Sequence, residues 1–205
     1  MAAMTCIYLD NAATSFPKPH AVYMAVDRYQ QAIGAPLGRG GYASAIEVAR
    51  TAAQARLGVA QLLGDHDARR VIFTSCGTES LNLALQGLLQ PGDHVVTTDA
   101  EHNSVLRPLH WLEKSRGIRV SYTPCDRLGR VDIDHVIAAV QKETRLVAIT
   151  HASNVTGAIN DIEELGRRLR STETLLLVDA AQTLGFDDLL AVEWGVDFVA
   201  APAHK

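Results

Sequence analysis

The sequence closes on Asp197-Phe-Val-Ala-Ala-Pro-Ala-His204-Lys205, a short apolar strand followed by a histidine and a lysine. Upstream, a second apolar strand, Leu175-Leu-Leu-Val-Asp179, ends on an acid and runs into Ala-Ala-Gln182. An acid at one strand end and an amine at the next are what pyridoxal phosphate requires. The carboxylate keeps the pyridine nitrogen protonated, and the amine forms a Schiff base. On this reading Lys205 is the catalytic residue and the chain is cut at it.

Three further strand ends carry polar residues of the same kind. Val71–Ser75 leads into Cys76-Gly77-Thr78-Glu79, and His94–Thr98 into Asp99-Ala-Glu101-His102-Asn103. Leu146–Thr150 leads into His151-Ala-Ser153-Asn154. In open α/β sheets ligands bind beyond the carboxyl ends of the strands, so five such exits converge on one crevice.

Each residue has a chemical reading and a plainer one. Gly77 and Thr78 open a helix, where free amides and the positive dipole end suit a phosphate; the alternative is Thr78 as an ordinary N-cap with Glu79 in the first turn. His102 either stacks on a cofactor ring and shuttles a proton, or caps the helix that follows. Asn154 and Gln182 suit a phenolic oxygen, or bond their own backbone in turns. Asp179, closing an apolar run, is expected to be partly buried and to need a positive partner; a protonated pyridinium, a magnesium ion or a helix N-cap role would each satisfy it. Lys205 reads either as a desolvated nucleophile or as a solvated chain end. Cys76 is expected to be a small buried filler, although a thiol at a helix N-terminus can have a lowered pKa.

The elements that must position these groups alternate. Helices are predicted over 43–63, 79–89, 104–116, 132–141 and 161–170, and strands over 71–75, 94–98, 118–124, 146–150, 175–178 and 196–200. The strands are short, nearly continuous apolar runs, the pattern of strands covered on both faces. Alternation with helices of this length predicts crossover units and a mostly parallel sheet. Residues 1–42 differ, with loop-forming Phe16-Pro-Lys-Pro19 and Gly34 to Gly41 flanking a helix around Val22 to Ala32. They read as an N-terminal arm packed on a main body formed by 43–205.

The bulk properties exclude several classes. At 205 residues, with 47% hydrophobic and 20% charged residues, the composition is that of an ordinary α/β protein. A net charge of −4 gives no basis for nucleic-acid binding. Three cysteines, at positions 6, 76 and 125, without CxxC spacing argue against a disulfide framework or structural zinc, so no metal is expected. No apolar run reaches the ~20 residues of a membrane span, and no signal peptide is recognisable, so a cytoplasmic setting is expected. A Rossmann-type nucleotide site is disfavoured because Gly38-Arg-Gly-Gly41 follows no strand.

Taken together, Tyr8-Leu-Asp-Asn-Ala-Ala13, Thr74-Ser-Cys-Gly-Thr-Glu-Ser80, Glu101-His102-Asn, His151-Ala-Ser-Asn154, Val178-Asp-Ala-Ala-Gln182 and His204-Lys205 resemble class V aminotransferases. Within that family the chain is most similar to cysteine desulfurases and selenocysteine lyases. The resemblance implies the large domain of a fold type I pyridoxal phosphate-dependent transferase, with a mostly parallel sheet, helices on both faces and the smaller C-terminal domain absent. It further implies a homodimer.

By the same resemblance Lys205 carries the cofactor, Asp179 pairs with its ring nitrogen and His102 stacks on the ring. Asn154 and Gln182 address the phenolic oxygen or neighbouring groups, while Gly77, Thr78 and His204 hold the phosphate. The implied reaction converts cysteine, or selenocysteine, to alanine and passes sulfur to a cysteine, with a possible sulfur-acceptor protein. Pro202 stands where many relatives have a phosphate-binding serine. The accepting cysteine and the carboxylate-binding arginine of the family lie beyond the lysine, so Cys6, Cys76 and Cys125 match no catalytic position, and the chain alone is expected to be nearly inactive. An uncovered sheet edge or apolar face is expected as well. The alternatives are another class V aminotransferase or epimerase, and a non-catalytic cofactor- or partner-binding remnant.

Overall fold

A computed structural model describes residues 7–205. These form two compact units. One contains the described residues up to Gln61 together with His66–Ile72 and His204–Lys205; the other contains Leu62–Asp65 and Phe73–Ala203.

The larger unit is built on five parallel strands: β1 (His94–Thr98), β2 (Arg119–Thr123), β3 (Thr144–Thr150), β4 (Leu175–Asp179) and β5 (Phe198–Ala200). Their order is β2-β1-β3-β4-β5. The chain therefore steps one way from β1 to β2, then reverses past β1 to β3, and the reversal between β1 and β3 is the switch point at which such sheets open a crevice.

Side-chain alternation sorts the strands into two cores. Val95, Leu146, Ala148 and Leu177 pack with Leu81, Leu85, Val105, Leu109 and Leu112 from α3 (Gly77–Leu88) and α4 (Asn103–Arg116). Val96, Val147, Ile149, Leu176 and Val178 pack with Val136, Ile162, Leu165 and Leu169 from α5 (Ile133–Ala139) and α6 (Ile162–Leu169). Both faces are thus covered, which explains the continuous apolar runs. Gly166 of α6 is dictated by close approach, since a Cβ there would lie 1.9 Å from the carbonyl oxygen of Trp194 in the short α7 (Ala191–Trp194).

The smaller unit holds α1 (His20–Arg28), which continues into one π-helical turn, Tyr29–Ile33, and α2 (Ala43–Leu62). None of the α1 residues is buried, and Val22, Tyr23, Met24 and Val26 are exposed. No helix among the described residues is long and apolar enough to cross a membrane.

One expected strand is absent. Val71–Ser75 follows a 3-10 turn, Ala68–Arg70, and Val71 is extended at φ −94° and ψ 120°, yet the segment joins no ladder. A strand requires a partner for its N–H and C=O groups as well as extended dihedrals. Ile72 and Phe73 are correspondingly exposed. Four of the five expected exits therefore leave strands, and the fifth leaves an extended segment.

Candidate functional site

Alternation along β4 decides where its terminal acid points. Leu177 faces the α3 and α4 side, so Asp179, two residues on, shares that side. Asp179 is 5% exposed, and its Oδ1 accepts the amide hydrogen of Ala181 at 2.9 Å. Its carbonyl accepts from the His151 amide at 2.9 Å, tying the exit of β4 to that of β3. The expectation of a partly buried carboxylate is thus met by a nearly complete burial.

The N-termini of α3 and α4 belong to the same face. The N-cap of α3 is Cys76, which puts Gly77 and Thr78 in the first turn rather than Thr78 at the cap. Glu79 reaches back to Ser75, accepting from its amide and its hydroxyl at 2.6 Å each. This leaves the Thr78 hydroxyl to meet Ser104 Oγ at 3.1 Å, joining the first turns of the two helices. Gly77 packs closely, because a Cβ there would lie 3.3 Å from Pro202 Cδ, a contact tight enough that the proline would have to give slightly. Pro202 thus supplies an apolar wall against the first turn of α3.

His102 is the N-cap of α4. Its Nδ1 accepts the Ser104 amide at 3.1 Å and lies 2.5 Å from Ser104 Oγ. An accepting Nδ1 places the proton of the neutral ring on Nε2. The capping alternative weighed from the sequence is therefore realised. It fixes the ring without using Nε2.

Cys76 is exposed, contrary to the expectation of a buried filler. The N-cap position turns the residue outward at the start of the helix. The backbone N–H of Glu79 and the Ser75 hydroxyl lower its pKa. Asn154 is exposed in the 153–158 loop, which is closed by the Ser153 amide donating to the Ala158 carbonyl at 2.9 Å. Gln182 is half-buried in the turn after β4. His204 and Lys205 belong to the other compact unit and are exposed.

Glu101 is the residue whose role the sequence did not disclose. It is 6% exposed, and its Oε1 accepts from Thr98 Oγ1 at 2.7 Å and from the Thr150 amide at 2.9 Å. It therefore bridges β1 and β3 at the sheet reversal. Oε2 has no hydrogen-bond partner among the described residues. Burial pushes its pKa up to about 8, with the charge of Asp179 adding to the rise and the bonds from Thr98 and Thr150 opposing it. Glu101 is thus mainly a neutral acid at pH 7, and Asp179 is the carboxylate beside it. A neutral acid next to an anion at a switch point is a signal only once the strand order is known.

The donor set fits pyridoxal phosphate. A deeply buried carboxylate suits a cationic ring nitrogen, and the first-turn amides of α3 with a neighbouring hydroxyl suit a phosphate dianion.

The family model described as aminotransferase class-V matches residues 7–205. The chain belongs to the class-V aminotransferase family. It is 36% identical over 201 residues to a probable cysteine desulfurase of Methanothermobacter thermautotrophicus, covering 97% of this chain and 49% of the relative. It is 37% identical to the cysteine desulfurase IscS of Dictyoglomus turgidum, covering 97% and 50%. Among solved structures it is similar to the apo cysteine desulfurase of Thermococcus onnurineus, with a TM-score of 0.90 and 33% identity over 97% of this chain and 50% of that one. This class-V aminotransferase chain spans about half the length of the curated relatives it matches. The parallel sheet covered by helices is the large-domain architecture expected of the class-V family.

Proposed function

We propose that this chain forms the pyridoxal phosphate-binding portion of a cysteine desulfurase. The observation that carries the proposal is Asp179, an acid almost fully buried at the end of β4 beside a neutral Glu101. Burying a carboxylate is costly, and a protonated pyridine nitrogen at this face would offset part of that cost.

When bound, the cofactor supplies an electron sink for chemistry at the α-carbon of an amino acid. The protein groups do the rest. Asp179 keeps the ring nitrogen protonated. Gly77 and Thr78 hold the phosphate on the helix amides, with His204 as a further donor. His102, its Nδ1 already engaged, offers its ring face for stacking and its Nε2 proton for transfer. Asn154 and Gln182 donate to the phenolic oxygen. Lys205 bonds the cofactor through its amine and moves the proton at the substrate α-carbon.

For the whole protein we propose L-cysteine as substrate. Its C–S bond breaks, the sulfur forms an S–S bond with a cysteine thiolate to give a persulfide, and the α-amino acid leaves as alanine. A homodimer, a sulfur-accepting partner protein and a cytoplasmic setting belong to the same proposal.

The test is to titrate the purified chain with pyridoxal phosphate. A visible absorbance band that borohydride fixes onto Lys205, found by peptide mapping and abolished in Lys205→Ala, is the expected result. A chain that stays folded but takes no label at Lys205 refutes the reading.

A further inference from the structure

The Tyr8–Ala13 motif and the residues just after it have no part in the chemistry described so far, yet Thr14, Ser15 and Lys18, which follow the motif, converge on one atom. The carbonyl oxygen of His204 is the acceptor of the peptide bond that joins His204 to Lys205. Within the smaller unit it receives the Ser15 amide at 3.2 Å, the Thr14 hydroxyl at 3.0 Å, the Ser15 hydroxyl at 3.1 Å and the Lys18 ammonium at 2.6 Å. The bond from Lys18 is charge-assisted, the stronger class of hydrogen bond. A carbonyl offers two lone pairs, so four donors within reach hold its direction firmly.

The donors are themselves held. Lys18 Nζ also bonds Thr14 Oγ1 and Ser15 Oγ at 3.0 Å each, and the Ser15 carbonyl. The His204 ring contributes a second link, with Nδ1 at 3.0 Å from Thr14 Oγ1. Tyr8 donates its hydroxyl to the carbonyls of Asp10 and Thr14 at 3.0 and 2.9 Å, and stacks edge-on against Phe16 with ring centroids 5.4 Å apart. Asn11 Oδ1 accepts the Phe16 amide at 3.2 Å. These bonds shape residues 8–18 into a cradle around a peptide some 190 positions away in the chain.

We propose that Thr14, Ser15 and Lys18 are positioning residues for Lys205, locking the 204–205 peptide plane from which its amine is presented. The proposal rests on the reading of Lys205 as the cofactor-bearing amine. A peptide plane fixed by four donors leaves the φ of Lys205 and its side-chain torsions to place the amine, and near-attack geometry is what bond formation at that amine requires.

The experiment uses the full 205-residue chain and two readouts. Amide hydrogen exchange at Ser15 reports the lock, and the rate of borohydride-fixed pyridoxal phosphate labelling at Lys205 reports its consequence. Lys18→Met and Thr14→Val are expected to lose Ser15 protection and to slow labelling by roughly tenfold or more at saturating cofactor. Non-covalent affinity, measured in a Lys205→Ala background, should stay within about twofold, and Lys18→Arg should restore labelling through its own charged donors.

If either variant fails to fold by circular dichroism, Ser15→Ala, which removes a single side-chain donor, is read in its place. Labelling of the wild type that the variants leave unchanged overturns the positioning role alone. A folded wild type that takes no label at Lys205 overturns the functional reading and the positioning role together. In that case Ser15 protection lost on Lys18→Met still separates a real lock from an unformed one.

Discussion

The Glu101 carboxyl accepts the amide hydrogen of Thr150 at 2.9 Å and so links β1 to β3 across the reversal of the sheet. Thr150 in turn lies in register with Asp179 on β4. One neutral acid therefore sets the spacing of two strand ends next to the carboxylate proposed to meet the cofactor.

Glu101 makes stability depend on pH. Its folded pKa of about 8 lies above the ordinary glutamate value of 4.5, so the folded state binds the extra proton between those values. The stabilisation is complete below the unfolded value and is lost as pH rises through 8, with a slope of up to about 1.4 kcal/mol per pH unit. Glu101→Gln retains a carbonyl oxygen for Thr98 and Thr150 and removes the titration. Urea midpoints taken from pH 5 to 8 should fall in the wild type relative to the variant; parallel curves would sink the assignment.

Asp179→Asn should leave the fold of the cofactor-free chain intact while weakening pyridoxal phosphate binding by roughly tenfold to a hundredfold, the scale of one lost charge-assisted contact. Spectroscopic titration measures it. Wild-type affinity in the variant would show that the ring nitrogen finds its partner elsewhere.

Exposure and a lowered pKa make Cys76 the more reactive of the two described cysteines, since Cys125 is half-buried. Iodoacetamide at pH 7 should modify Cys76 before Cys125, as read by peptide mapping, and Ser75→Ala should slow it by removing one of the bonds that favour the thiolate. Faster modification of Cys125 would contradict the geometry. Cys6 lies outside the described residues.

Asn160 is buried, donating to the Thr150 carbonyl at 2.9 Å and accepting from the Val131 amide at 3.1 Å. Asn160→Ala leaves both backbone groups without these partners and should cost about 1–3 kcal/mol in urea unfolding. A loss under about 0.5 kcal/mol would mean that water replaces the amide without penalty.

The sheet was readable because burial on both faces writes strands as apolar runs, and β1, β3 and β4 each surfaced as such. The acid of Asp179 was readable because a charge closing such a run is out of place unless something needs it. Val71–Ser75 misled for a related reason: its apolar residues have the composition of a strand, but composition does not supply a ladder partner. The orientation of Cys76 depended on which residue caps α3, and Thr78 is as good a capping type as its neighbours. Glu101 stayed silent because its bond to Thr150 spans 49 positions. An acid three residues past β1 acquires meaning only when β3, not β2, lies on its far side. The clamp on His204 was hidden in the same way, since its donors come from the opposite end of the chain.

The parity of β4 carries a consequence for how the chain tolerates change in length. Inserting a single residue between Leu175 and Val178 would rotate everything after it by half a turn of the pleat. Asp179 would then face the hydrocarbon of α5 and α6, and Val178 would point into the polar crevice. The same insertion in the turn at 171–173, which is exposed on the surface, would leave the pleat untouched. The arithmetic of odd and even positions along five residues thus protects the site as surely as any side chain that lines it.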